Sequence, residues 1–180
     1  NRDHVPYKIT VSISPPLASM MADSLVQEHY NRYLYRLREL AAKEVWRTRN
    51  DARFNIIARM YQNLFEATYR TLDHYHGNLI NAFKELQDSG RVEIITCAAT
   101  HGFLPLIGLQ REVVRAQLEV AVNNHRRLFG RTPAGLWLPE CAYNPGDDAI
   151  LKDYGIKYFV VDAHGLLYAV PRPRYSIFAP

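Results

Sequence analysis

The 180-residue sequence is 48% apolar, 12% aromatic and 22% charged, with 22 Lys and Arg against 18 Asp and Glu for a formal net charge of +4. This is globular composition with enough apolar material for a real core; it excludes disorder, collagen and coiled coil, and its mixed charges describe solvated faces with no call for nucleic acid. No apolar run approaches the roughly 18 residues of a membrane helix, no basic-then-apolar leader is present, and Cys97 and Cys141 are too few for a disulfide framework, which points to a reducing cytoplasm.

Residues 7–14 (YKITVSIS) alternate and are β-branched, which predicts a strand stopped by Pro15 and Pro16. From Ala22 the period lengthens. Val26, Tyr30, Tyr33, Leu34, Leu37, Leu40 and Ala41 recur at helical spacing, and after a break at residues 49–51 a second stripe runs from Phe54 through Ile57, Tyr61, Leu64 and Phe65 to Leu72. A third helix is expected over about 77–88, ended by Gly90 in a left-handed turn. Strand and helix then alternate: a strand at 92–97, a loop at 98–108, a helix at about 110–129, a strand at 135–138, a helix opened by Asn144 as N-cap and Pro145 as first residue, and a strand at 157–161. Strands separated by single helices imply right-handed βαβ units and a parallel sheet. The predicted class is α/β, with residues 1–21 a strand and loop, 22–76 a helical insertion too long for one crossover, and 77–180 the βα units. The ends of the sequence, without an initial Met or a final helix, read as cut from a longer protein.

In parallel sheets and barrels the working residues lie just past the carboxyl ends of the strands. Those positions hold Thr96, Cys97 and His101 after one strand, Trp137, Glu140, Cys141 and Tyr143 after the next, and Asp162 and His164 after the third. Glu140 is the most informative. A carboxylate between Trp137 and Tyr143 suits a sugar site, where aromatic faces stack on pyranose rings and a carboxylate meets the anomeric carbon; the alternative is an acid capping a backbone amide. His101 is either a hydroxyl-binding residue or a loop histidine on a carbonyl, and Asp162 with His164 is either a functional pair or an Asx-capped turn. Cys97, His101, Cys141 and His164 form a zinc-type donor set, but their spacing matches no compact zinc motif. Asp73 to His76 reads as solvated surface, because alternate positions on a helix face apart.

The segment Trp137-Leu-Pro-Glu-Cys-Ala-Tyr143 resembles the nucleophile region of glycoside hydrolase family 57, in particular its α-1,4-glucan branching enzymes. Thr96-Cys-Ala-Ala-Thr-His-Gly-Phe-Leu-Pro105 is similar to a second signature region of that family, and Phe159-Val-Val-Asp-Ala-His-Gly-Leu-Leu-Tyr168 and the closing residues 175–180 fit the same branch. The resemblance implies part of an irregular (β/α)7 barrel with a helical insertion. It implies a retaining reaction on an α-1,4-glucan such as amylose, with Glu140 as nucleophile and an α-1,6 branch as product. His101 would hold donor hydroxyls and Trp137 would pack beside the subsite, with Cys141, Tyr143, Asp162 and His164 also against substrate. Neither metal nor organic cofactor is implied, and neither nucleic acid nor membrane is a partner. The second carboxylic acid and the remaining strands are expected outside residues 1–180, so the chain alone is expected to be inactive. An α-amylase or 4-α-glucanotransferase of the family, and a glucan-binding fragment without catalysis, are the alternatives.

Overall fold

A computed structural model describes residues 6–175. The last five residues used in the resemblance, 176–180, lie outside it. The chain forms two compact units, one built from the residues up to Ala18 together with those from Leu86 onward, the other from Ser19–Glu85.

The first unit is a parallel sheet. Strands β1 (Ile9–Ser12), β2 (Val92–Cys97), β3 (Gly135–Trp137) and β4 (Tyr158–Val160) are neighbours in chain order, all parallel. A doubly wound sheet reverses its order at a switch point; a sheet that keeps chain order is winding one way, as a barrel wall does. Register places Thr10, Glu93, Gly135, Trp137 and Tyr158 on one face and Ile94, Leu136 and Phe159 on the other. The helix α6 (Arg111–Phe129) covers the second face with Val114, Leu118, Ala121, Val122, His125 and Phe129, all buried. With Leu136, Leu138 and the residues Ile150 and Leu151 of α7 (Asp147–Asp153) they make the core. Each Leu or Val so buried contributes about 1.5–3 kcal/mol.

Several elements differ from the sequence-based expectation. Pro15 and Pro16 do stop β1, but they also open a helix, α1 (Pro15–Ala22), because a first helical turn needs no proline N–H. The loop after β2 holds one turn of helix, α5 (Leu104–Ile107). Asn144 and Pro145 do not open α7. The N-cap is Gly146 at φ +92°, and Asp147 turns inward to meet Arg111, whose guanidinium fills the space a Cβ at 146 would take. A short helix, α8 (Ala163–Leu167), follows β4.

The second unit centres on α2 (Ser24–Arg47) and α3 (Ala52–His74), each opened by an aspartate whose carboxylate accepts a backbone N–H, Asp23 from Val26 and Asp51 from Arg53. The two pack as a hairpin around Leu34, Ala41, Ala58 and Leu72, with Arg38 bonded to Glu66 at 2.7 Å. Many stripe residues remain exposed, Tyr33, Leu40, Phe54 and Ile57 among them. Helix α4 (Leu79–Asp88) ends as expected, with Gly90 at φ +70°.

Candidate active site

Glu140 and His101 meet at the carboxyl ends of β2 and β3. Glu140 sits in a single 3-10 turn, Pro139–Cys141, directly after β3. His101 Nε2 is 3.2 Å from Glu140 Oε1, a hydrogen bond that the ring donates in the tautomer with its proton on Nε2. Both side chains are open to a substrate, 50% and 72% exposed.

The backbone beneath this pair is strained. His101, Glu140 and Cys141 have φ of 57°, 55° and 55°, three of the four non-glycine residues with positive φ among the described residues. A left-handed conformation costs a side-chain-bearing residue roughly 1–2 kcal/mol, and such residues gather where a side chain must be aimed. The surrounding bonds hold them there. Cys141 N–H donates to Leu138 O at 2.8 Å and His101 N–H to Ala98 O at 3.1 Å. Gln117, on α6, grips the residue before His101 twice: its Oε1 accepts from Thr100 N–H at 2.9 Å and its Nε2 donates to Thr100 Oγ1 at 2.8 Å.

The other candidate residues fall into a second group. Tyr143 donates its hydroxyl to Asp148 Oδ1 at 2.9 Å and stacks on Phe159, ring centroids 5.5 Å apart and planes 12° apart. Burial and the Asp148 carboxylate raise the phenol above its ordinary pKa. Asp162 is the N-cap of α8: its Oδ1 accepts from the backbone N–H of His164 at 3.2 Å and lies 2.8 Å from His164 Nδ1. Those bonds hold the Asp162 carboxyl below the usual carboxylate range. Cys141, Tyr143, Asp162 and His164 line one cavity of about 510 Å³ with Phe103 and Phe159. Trp137 stands apart from them, 42% exposed on the sheet face opposite Phe159.

The zinc-type set does not assemble. Cys97 is buried, its thiol bonded to Ala98 O and pushed up to about 11 by desolvation, which opposes the thiolate a metal needs. Among the described residues no three His, Cys, Asp or Glu side chains converge on one point. Asp73 and His74 end α3, and His76 follows in a left-handed turn.

Asp162 and Asp147 both depart from ordinary carboxyl behaviour, and neither has the properties of a general acid facing substrate. Asp162 is held ionised, whereas an acid must keep its proton near neutrality. Asp147 is shifted upward, because burial outweighs the pull of Arg111 at 2.9 Å, but its side chain is wholly buried and out of a substrate's reach.

Sequence reasoning overlooked Gln117 and the Arg111–Asp147 pair. Both belong to helix surfaces that read as ordinary polar positions, and only the fold shows what they hold.

The family model for glycosyl hydrolase family 57 matches residues 7–180, and the chain belongs to that family. Over 175 residues it is 32% identical to a 1,4-alpha-glucan branching enzyme of Thermococcus kodakarensis, covering 88% of this chain and 25% of that protein. An alpha-amylase structure from Thermotoga maritima superposes with a TM-score of 0.93 at 40% identity, covering 97% of this chain and 34% of that one. A family 57-type branching enzyme structure from Pyrococcus horikoshii superposes with a TM-score of 0.86 at 31% identity, covering 96% of this chain and 35% of that one. The chain thus spans a quarter to a third of the length of these relatives, and its α/β fold is part of their (β/α)7 barrel.

Proposed function

We propose that the chain carries the nucleophile half of a retaining α-1,4-glucan branching site. Glu140 attacks the anomeric carbon of the donor glucan, a bond forms from its carboxylate oxygen to that carbon, and the glycosidic bond breaks. A second carboxylic acid, supplied by residues outside 1–180, protonates the departing oxygen. It then removes the proton of an acceptor 6-hydroxyl as that oxygen displaces Glu140. Retention needs the two carboxyls about 5–5.5 Å apart. The observation that carries the reading is the bonded His101–Glu140 pair on left-handed backbone at the strand ends. His101 orients one carboxylate oxygen and leaves the other for the sugar, and Trp137 packs beside the donor ring.

The amylase relative supports a second reading, in which the glycosyl group passes to water. The two readings divide on products. Amylose incubated with a polypeptide of the relatives' length and followed by proton NMR should develop α-1,6 anomeric signals, and Glu140→Gln should abolish them. New reducing ends without branches would establish the amylase reading instead. The free thiols of Cys97 and Cys141 agree with a cytoplasmic setting, in the synthesis of a glycogen-like polymer.

A further inference from the structure

We propose that the cavity beside the Glu140 turn is the acceptor subsite, which holds a pyranose unit of the second glucan while the first is bound at Glu140. This rests on the transfer reading above. Its volume of about 510 Å³ lies within the ~300–1,000 Å³ of small-molecule sites, and like them it is mostly apolar with a few polar groups in its lining.

The walls are prepared for a sugar ring. Tyr143 is locked at its hydroxyl by Asp148 and on one face by Phe159, and the residue is still 43% exposed. Phe103, from the loop after β2, is 44% exposed against the same space. Aromatic faces suit the C–H faces of a pyranose, and Tyr143, already held, loses little rotamer freedom on contact. The ionised Asp162, bonded to His164, lines the same cavity and offers an acceptor and a ring nitrogen to sugar hydroxyls.

Position makes this a second sugar site. The cavity lining includes Phe159, which lies on the helix-covered face of the sheet, while Trp137 takes the opposite face. Side chains on opposite faces of one sheet cannot pack on the same pyranose, and Trp137 is not among the residues lining the cavity. Transfer between two glucans requires two such places flanking the nucleophile; hydrolysis requires only one and a water.

The test is an NMR titration of the isotope-labelled chain with maltotriose. Saturable shifts are expected at Phe103, Tyr143 and Phe159. Tyr143→Leu should weaken that binding by about tenfold, the scale of a lost aromatic contact. Phe103→Leu, which leaves the Tyr143–Asp148 bond intact, should weaken it too and guards against loss of fold in the first variant. His101→Asn, whose new residue tolerates the left-handed backbone, and Glu140→Gln should leave it unchanged, so that failure of this site and failure of Glu140 are read separately. Absence of saturable shifts in this cavity, undiminished affinity in both aromatic variants, or loss of binding in His101→Asn would each overturn the assignment.

Discussion

His125 shows how one buried side chain sets a pH limit on the fold. Its Nδ1 lies 2.9 Å from Arg131 O and its Nε2 3.2 Å from Ile94 O, and the ring packs against Phe129. Two carbonyl acceptors favour the imidazolium, but desolvation is the larger effect and pushes the group below its ordinary 6.5. A base with a depressed pKa in the folded state stabilises the fold fully above its unfolded value. That contribution is lost as pH falls through the folded value. The melting temperature should therefore drop between pH 7 and pH 5, and His125→Gln should flatten that drop; parallel slopes in the two proteins would refute the assignment. Asp148 and Asp162, held below their ordinary 3.8, lose their contributions only at lower pH and do not blur the window.

At the scale of elements, two contacts fix how strand ends and helices meet. The Arg111–Asp147 pair joins the start of α6 to the start of α7, and Asp147 Oδ2 has no hydrogen-bond partner. Arg111→Met would leave this buried carboxylate without its cation, at a cost of about 3 kcal/mol at neutral pH. Since burial already pushes the Asp147 carboxyl up, the loss should shrink toward acid pH as the group takes a proton, which urea unfolding at pH 7 and pH 4.5 would detect. Gly135 is the second contact. The Tyr158 ring from β4 lies across it, facing Glu93, and Thr10 Oγ1 donates to Glu93 at 3.1 Å on the same face. A Cβ at 135 collides with that ring, so Gly135→Ala should cost about 1–3 kcal/mol, and adding Tyr158→Val should restore most of it. These elements were legible in the sequence to differing degrees. The long stripes of α2, α3 and α6 declare themselves by period, and the strand cores by β-branching. The one-turn helices α5 and α8 have too few residues for a period, and the start of α7 is decided by Arg111, thirty-six residues earlier in the chain and invisible to local reading.

Taken whole, the molecule places its unusual chemistry at one end of a parallel sheet wound in chain order, the end where barrel enzymes keep their sites. That much followed from the alternation of strand and helix, and Glu140 stood out because its neighbours Trp137, Pro139 and Tyr143 are not the company of a capping acid. What the sequence could not supply was the partition of the candidates, with His101 beside Glu140 and Tyr143, Asp162 and His164 around a separate cavity, because that depends on which face of each strand a residue takes. The central claim is that Glu140 is the nucleophile, and it can be tested without the second acid by a donor whose leaving group needs no proton. Incubation with 5-fluoro-α-glucosyl fluoride, followed by peptide mass spectrometry, should give one glycosyl adduct on the peptide containing Glu140 and none in Glu140→Gln. An adduct on another carboxylate, such as Asp162, or none in the unmodified sequence, would contradict the account.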